Sequence, residues 1–320
     1  LPQLNHRSLL IAGVLLLSFA DLAHFGGTLY PLTNPAALFP STPNIAIVRN
    51  DPDVQAHQAR IMTPTGGVWL RFTNYKDFRQ SVPNYQMLWA DSLVPNSMMP
   101  YGLSDAFGYE PVALKNMETA AGNAAWAFDP KAPAKHRAEA ATLSGALGVK
   151  YITLCRVTPP EDTLPSLTAV RTAPTLAPPG RKQGPQASIY LSTNTKWQPR
   201  AHLGISGEAV ALTDDGPDRV TLSFQTITPD RLILEDTQAA GWQATLDSQP
   251  TSIATYKNCL RSVVIANPGQ HRVIFSYNPT PFRLGLYFSL LTLAGLIGAG
   301  IFSLTRKLIE REGFRPRRVE

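Results

Sequence analysis

An uncharged apolar stretch near the C-terminus limits the possible folds more than any other part of the chain. It covers residues 284–304 and reads LGLYFSLLTLAGLIGAGIFSL. A helix of this length would be roughly 31 Å long, about the thickness of one bilayer hydrocarbon core. Arg283 precedes the stretch, and Arg306 begins a basic tail after it. Because positive charge favours the cytoplasmic side, the sequence predicts a transmembrane helix over 283–305, a cytoplasmic tail over 306–320 and an extracytoplasmic chain before the helix.

A second apolar segment lies near the N-terminus, over residues 9–20, with the sequence LLIAGVLLLSFA. Two interpretations fit residues 1–25. They hold either the end of a transmembrane helix, with Asp21 at the outer surface, or a signal-like segment, since Ser18-Phe19-Ala20 resembles a small-x-small cleavage site. Both interpretations place the chain after residue 25 outside the cytoplasm, so the sequence predicts one or two transmembrane helices.

The charges and cysteines argue against several kinds of protein. The net charge is +6, but the densest basic cluster comes after the apolar stretch, where it is typical of membrane topology rather than of nucleic-acid binding. Cys155 and Cys259 match no Cys-x-x-Cys or zinc pattern, and they form either a disulfide or two separate thiols. The histidines are scattered, and the sequence has no phosphate-binding glycine loop. We therefore expect no evident cofactor in this chain and no nucleic acid as partner.

Residues 26–157 have the mixed pattern of an α/β extracytoplasmic domain. The alanine-rich segment 133–147 predicts a helix that ends at Gly148, and the β-branched segment 149–157 predicts a core strand directly after it. Residues 53–62 fit either a short helix or a strand edge. Residues 158–186 are rich in proline and have no periodic apolar face, so they are interpreted as a linker or a long surface loop.

Residues 187–282 contain short apolar segments separated by Gly, Pro, Asn or Asp, without helical patterns between them. This spacing predicts an antiparallel β-sandwich. The turn sequence at 267–270 predicts that the strands on its two sides form a hairpin. The expected fold class is therefore α+β: a membrane-anchored extracytoplasmic region with a mixed α/β part, a C-terminal sandwich, and one or two transmembrane helices.

Several short motifs, in this order, resemble the C-terminal region of the YfhO-type bacterial membrane proteins. In the N-terminal half they are Ala20-Asp21-Leu22, Phe25-Gly26, Asn96, Tyr101-Gly102-Leu103 and Gly108-Tyr109-Glu110-Pro111. In the C-terminal half they are Gly148-Val149-Lys150-Tyr151, Pro199-Arg200-Ala201, Gly241-Trp242, Asp247, Arg261-Ser262-Val263, Pro268-Gly269-Gln270-His271 and Tyr277-Asn278-Pro279. Ser248 stands where the family has glycine after the aspartate.

The resemblance implies a relation to polytopic glycosyltransferases of the bacterial cytoplasmic membrane that use polyprenyl-phosphate sugars. Those enzymes place their catalytic acid among many N-terminal helices, so this chain would be the C-terminal portion of a longer protein. The implied partners are the lipid bilayer, the polyprenyl-phosphate-sugar donor and a glycan or lipid acceptor. A divalent metal is possible in the full-length protein.

The candidate binding residues are polar or aromatic groups in two loops and one strand. Asp21 stands where a helix leaves the bilayer, and it is either a functional carboxylate or a solvated helix end. The loop residues Asn96, Tyr101, Tyr109 and Glu110 would suit the apolar face and polar rim of a sugar, or they pack under the sandwich. Arg200 and Arg261 could meet a phosphate or a carboxylate, or lie on a solvated or ion-paired face. The aromatic residues predicted for core positions on strands are Trp197, Trp242, Tyr256 and Tyr277.

Two functional hypotheses arise from these observations. In the first, the chain is an auxiliary domain that shapes the acceptor side of a lipid-linked-sugar glycosyltransferase, without catalysing bond breakage itself. In the second, it is a non-enzymatic, membrane-anchored carbohydrate-binding or structural module. A secreted soluble enzyme is disfavoured by the 284–304 stretch.

Overall fold

The computed structural model describes residues 6–29, 39–64, 87, 90–106, 114–129, 131–156, 159–162, 164–174 and 188–312. The α-helices within these ranges are α1 (His6–Leu29), α2 (Pro43–Arg49), α3 (Pro52–Gln55), α4 (Lys115–Trp126), α5 (Ala134–Gly145) and α6 (Thr280–Glu312). Two short 3-10 helices cover Met99–Tyr101 and Pro160–Asp162.

The strands in the described ranges belong to three sheets. They are β1 (Arg60–Met62), β2 (Val149–Arg156), β3 (Leu167–Pro174), β4 (Ser188–Asn194), β5 (Ala201–Leu203), β6 (Ala211–Asp215), β7 (Arg219–Thr226), β8 (Asp230–Thr237), β9 (Trp242–Leu246), β10 (Gln249–Thr251), β11 (Ala254–Tyr256), β12 (Leu260–Ile265) and β13 (Gly269–Tyr277). The first sheet has the order β1-β2-β4-β3, the second β11-β12-β8-β5, and the third β10-β9-β13-β7-β6. Helices and largely antiparallel sheets together confirm the α+β class.

Local sequence signals account for several elements. The predicted helix over 133–147 and strand over 149–157 are confirmed as α5 and β2. The ambiguous segment 53–62 contains a short helix and an edge strand, because α3 ends at Gln55 and β1 begins at Arg60 after a four-residue turn. Asp51 caps α3 by accepting hydrogen bonds from the Asp53 and Val54 amides, and Pro52 occupies the first turn, where its missing N–H costs nothing.

The first sheet is covered on both faces. Helices α4 and α5 pack on one face over Ile152 and Leu154, in a cluster that also takes in Cys259 and Leu260. On the opposite face, α2 packs against Tyr151 and other buried apolar side chains. Cys155 and Cys259 do not form a disulfide.

The prolines of 158–186 do not prevent strand formation. Within that segment β3 pairs antiparallel with β4 at the edge of the first sheet, where a proline at the strand end removes no interior ladder bond. Strand β4, the first of the segments expected in the sandwich, instead joins the first sheet through β2. Residues 175–187 lie outside the described ranges.

The predicted hairpin around residues 267–270 is wrong. Strand β12 pairs with β8 and β11 in the second sheet, whereas β13 pairs with β7 and β9 in the third. The turn signal marks a chain reversal, but it does not specify which strand becomes the hydrogen-bonding partner. Buried residues from both sheets meet in one hydrophobic cluster, with Leu222 and Phe275 from one sheet and Leu234 and Val263 from the other.

Helix α6 continues the chain after β13. Among the described residues, it is the one helix long and apolar enough to cross a membrane, over Thr280–Arg306. Its described side chains are exposed on every side, including Phe288 and Leu291. In α1 the apolar segment Leu10–Phe25 is shorter than such a span, and its side chains are also exposed.

Candidate functional site

The loop site expected from the sequence is only partly within the described residues. Asn96 is exposed and has a left-handed backbone conformation (φ 64°). Tyr101 is half-buried, and its hydroxyl donates to the Pro40 carbonyl at 2.9 Å. Burial raises the pKa of Tyr101. Tyr109 and Glu110 lie outside the described ranges, so the proposed sugar-binding arrangement of these residues stays a prediction.

Asp21 lies within α1, well before its end at Leu29, and its side chain is exposed. The helix therefore continues past Asp21, as an exposed aspartate in the middle of a helix is only mildly unfavourable. The position of Asp21 at the outer surface of a bilayer stays a prediction.

Arg200 is buried at the centre of a charged network that joins all three sheets. Two of its nitrogens donate to the two carboxylate oxygens of Asp236 at 2.9 Å each. Its Nη1 and Nη2 donate to Asp215 at 2.7 and 2.9 Å. This double bidentate geometry is the strongest that a guanidinium and carboxylates can form.

Asp236 accepts hydrogen bonds from two further arginines. Arg60 Nη2 contacts its Oδ1, and Arg261 Nη2 donates to its Oδ2 at 3.0 Å. We call Arg60, Arg200, Arg261, Asp215 and Asp236 the arginine–carboxylate cluster. Arg60 opens β1 of the first sheet, Asp236 and Arg261 belong to β8 and β12 of the second, and Asp215 ends β6 of the third.

The arginines of the cluster keep Asp236 ionised. Burial alone would raise the pKa of Asp236, but Arg60, Arg200 and Arg261 outweigh burial and hold that pKa well below its usual range. Burial opposes the charge on Arg200 as well, yet Asp236 and Asp215 raise its pKa above the ordinary value. Asp236 and Arg200 therefore both stay charged near neutral pH.

Arg261 is the least satisfied member of the cluster. Burial lowers its pKa to about 10, and the neighbouring arginines add to this effect. Its Nε and Nη1 have no hydrogen-bond partner among the described residues. The guanidinium instead lies against the face of Trp242, with 3.7 Å between Cζ and the ring centroid, and Phe275 lies on another side at 5.4 Å. The aromatic faces supply a cation–π contact in place of the missing acceptors.

Glu235, next to Asp236 on β8, behaves in the opposite way. Its side chain is fully buried, and neither carboxylate oxygen has a hydrogen-bond partner within the described chain. Burial raises its pKa to about 9, so Glu235 is neutral at pH 7. His202 Nδ1 lies 4.0 Å from Glu235 Oε1 but donates to the Pro199 carbonyl at 2.8 Å, and burial lowers the pKa of His202. The two side chains thus face each other as neutral groups.

Two residues of the family-like motifs come together at one turn. His271 Nδ1 lies 2.8 Å from Asp247 Oδ2, and the Arg272 amide donates to Asp247 Oδ1 at the same distance. The Arg272 amide and then His271 hold the pKa of Asp247 below its usual range. Asp247 and Ser248 both have positive φ, 51° and 70°, as the two-residue turn between β9 and β10 requires.

The aromatic residues expected in the core divide into two kinds. Trp197, Trp242 and Tyr256 are half-buried, and the last two pack against hydrophobic clusters. Tyr277 is 41% exposed, which corrects its assignment to the core. Its ring still packs on Trp242, with centroids 5.3 Å apart.

Tyr277 belongs to a tightly held connection that we call the β13–α6 junction, residues 277–280. The Tyr277 amide donates to the Asp218 carbonyl at 2.7 Å, and the Asn278 amide donates to the Gly241 carbonyl at 2.8 Å. Gly241 has a φ of +104°, and a Cβ there would lie 2.9 Å from the Tyr277 ring and 3.0 Å from Pro279. Only glycine fits this position without displacement.

The described side chains of the cluster and the junction contact one another and link the sheets and α6. No group of three or more His, Cys, Asp or Glu side chains within the described ranges is arranged to hold a metal ion. The charged groups of the cluster bind one another across the three sheets, while the junction holds the sheets to α6. In comparisons with protein-family models, with curated proteins and with solved structures, nothing matches this chain.

Proposed function

We propose that this chain is the membrane-anchored, extracytoplasmic auxiliary domain of a lipid-linked-sugar glycosyltransferase. The observation that carries the proposal is the β13–α6 junction. An exposed apolar helix of membrane-spanning length comes after the central strand of the third sheet, separated from it by only Asn278 and Pro279. Exposing so many large apolar side chains to water would be very unfavourable, and a bilayer removes that cost.

We infer that the second and third sheets are the two layers of a β-sandwich. Their inner faces contribute to one hydrophobic cluster, with fully buried Leu222 and Phe275 opposite Leu234 and Val263. Alternate residues along β7 and β13 enter this cluster, as expected when two sheets pack face to face.

The resemblance to YfhO-type proteins supports the enzymatic context. Its C-terminal landmarks fall on structurally demanding positions: Gly241 at the junction, Asp247 at a tight turn, and Arg200 and Arg261 in the arginine–carboxylate cluster. The donor would be a polyprenyl-phosphate sugar and the acceptor a glycan or lipid, outside the bacterial cytoplasmic membrane. The catalytic acid and any divalent metal would belong to the rest of the full-length protein.

A second candidate function is a non-enzymatic carbohydrate-binding or structural module. The internal pairing of the arginine–carboxylate cluster favours a structural role, since its two carboxylates and all three of its guanidiniums are engaged by one another. Both candidates share the same membrane topology, so topology and partnership need separate experiments.

Topology is tested by cysteine labelling in intact cells. Ile205 is 77% exposed in the described structure, and we expect Ile205→Cys to react with a membrane-impermeant maleimide from outside. Glu320→Cys in the tail is the matched control and should react only after permeabilisation. Labelling in the reverse order, or extraction of the protein by alkaline carbonate, would overturn the proposal.

Partnership is tested by sugar transfer in membranes. Deleting this chain from the longer protein should abolish transfer from a polyprenyl-phosphate sugar while leaving donor binding intact. Undiminished transfer after the deletion would support the non-enzymatic module instead. Glycan titrations of the full chain in nanodiscs then test the predicted loop site: binding unchanged by Tyr109→Ala and Glu110→Ala would remove it.

A further inference from the structure

Two other segments, the β11–β12 turn and the start of α4, lie at the same end of the sheets as the β13–α6 junction. The Gln238 amide, after β8, donates to the Cys259 carbonyl at 2.6 Å, which places the β11–β12 turn at this end. Three residues later Gly241 accepts from Asn278. Lys257 and Asn258, at the tip of that turn, are therefore near the point where the chain leaves for the helix.

Helix α4 begins at the same end. Asn116 Nδ2 donates to the Asn258 carbonyl at 3.0 Å, so the first residues of α4 lie beside the β11–β12 turn. Leu114 precedes the helix and is 50% exposed. We call Leu114, Lys115, Lys257, Tyr277 and Arg283 the juxtamembrane surface.

The composition of this surface is that of a water–lipid boundary. Tyr277 and Leu114 leave apolar area exposed. The Lys257 ammonium lies 5.1 Å from the centroid of the Tyr256 ring, an arrangement of cation and aromatic that suits the headgroup level of a bilayer. Long cationic side chains at such a level keep their charge in the polar layer while their stems contact apolar groups.

This end of the sheets carries both basic and acidic side chains, and only some of them form ion pairs. Lys115, Lys257 and Arg283 make no ion pair within the described chain, whereas Arg219 contacts Asp214 at 3.7 Å. The exposed carboxylates described at this end are Glu118 and Asp218, while Glu235 and Asp236 near the end of β8 are buried. Among the described residues at this end, the unpaired cations therefore exceed the exposed carboxylates, and basic groups near an anionic surface are attracted to it.

We propose that the juxtamembrane surface lies in the headgroup layer of the bilayer and binds the phosphates of anionic phospholipids. Leu114 and Tyr277 enter the apolar edge of that layer, and Lys115, Lys257 and Arg283 contact phosphate oxygens. This inference rests on the proposed membrane anchor, because the short link from Tyr277 to Thr280 fixes where the bilayer begins. The domain would then lie against the membrane instead of standing away from it.

The test measures the depth of single spin labels on the full chain in lipid vesicles. Labels are attached to Leu114→Cys, to Leu291→Cys within α6 and to Ile227→Cys, in a background with Cys155→Ser and Cys259→Ala. Ile227 is 87% exposed and comes directly after β7, whose eight residues place it roughly 25 Å from the junction end. Circular dichroism melting confirms that each labelled protein remains folded.

We expect the Leu291 label to be reached by oxygen but not by a water-soluble nickel complex, and the Ile227 label to be fully open to nickel. The Leu114 label should lie between them, at headgroup depth. A Leu291 label open to nickel would refute the membrane anchor itself. A buried Leu291 label together with a Leu114 label as open to nickel as Ile227 would refute only the juxtamembrane surface.

Lipid charge is tested with two lysine variants. In vesicles that contain phosphatidylglycerol, Lys115→Gln with Lys257→Gln should increase the nickel accessibility of the Leu114 label at least twofold. In purely zwitterionic vesicles the same double change should have little effect. Lys131→Gln is the matched control, because Lys131 lies beyond the opposite end of α4 and should change nothing. Equal effects in both vesicle types, or from Lys131→Gln, would contradict binding to anionic headgroups.

Discussion

Replacing Asp236 by asparagine should remove the common counter-charge of three buried arginines. Asparagine keeps the size of the side chain, but it carries no charge and has one acceptor oxygen for the hydrogen bonds from Arg60, Arg200 and Arg261. Removing one partner from a buried ion pair destabilises a protein by about 3–5 kcal/mol, because the other charges stay buried without compensation. Such a loss is a large part of the usual total stability of about 5–15 kcal/mol.

The change is measured by urea unfolding of the full chain in detergent, followed by tryptophan fluorescence. For a domain of this size, the expected loss corresponds to a melting temperature lower by about 10 °C. Asp214→Asn is the matched control, since Asp214 is about half exposed and lies 3.7 Å from Arg219. An exposed pair of this kind contributes less than about 1 kcal/mol. Equal, small losses for both variants would show that the arginine–carboxylate cluster does not hold the sheets together.

Three further changes test separate features of the fold. Glu235→Gln should stabilise the protein at mildly alkaline pH. In the native protein the stability that comes from the neutral Glu235 is fully present below pH 4.5 and is lost as the pH rises to about 9, by up to ~1.4 kcal/mol per pH unit. The free energy of unfolding measured against pH should therefore vary less in the variant. Ser248→Gly should raise the urea midpoint by the equivalent of about 0.5–1 kcal/mol, because φ at this turn position is 70°, and an unchanged midpoint would contradict that reasoning. Gly241→Ala should destabilise the protein by about 1–2 kcal/mol, because the added Cβ is strained at this φ and clashes with Tyr277. Gly122→Ala is the control: it lies in open space on α4 and should stabilise the protein by up to about 1 kcal/mol. Thermal melts that shift in the same direction for both variants would refute the described packing at the β13–α6 junction.

Elements encoded by adjacent residues could be predicted from the sequence. The alanine-rich helix α5, strand β2 and the apolar helix α6 each result from composition and period within one short segment. Pairing between strands depends on residues far apart in the chain, and this explains the wrong hairpin. Strand β12 is buried on both faces over most of its length, whereas β13 buries one face, and a short connection between them suits a crossing between layers as well as a hairpin.

Sequence reasoning misses the arginine–carboxylate cluster because its members are distant along the chain: Arg60 and Asp236 are 176 positions apart. A signal is nevertheless present in the alternation of two strands. Leu232 and Leu234 predict that Asp236 points into the same core, and Val263 predicts the same for Arg261. Opposite charges on the buried faces of two strands are expected to form an ion pair, because burying an unpaired charge costs too much free energy. For Arg200 the sequence predicts contact with a phosphate or carboxylate, or a place on a solvated or ion-paired face. The structure shows carboxylate pairing, with Asp215 and Asp236, but at a buried position.

The two-residue connection between β13 and α6 has a mechanical consequence. A long tether would let the helix tilt and turn without disturbing the rest of the molecule. Here β13 is the middle strand of five, bonded on both sides, and its last residues are held by Asp218 and Gly241. In the proposed membrane-anchored arrangement, torque applied to α6 by neighbouring spans or by a change in bilayer thickness would pass directly into β13 and would rotate the third sheet together with the helix.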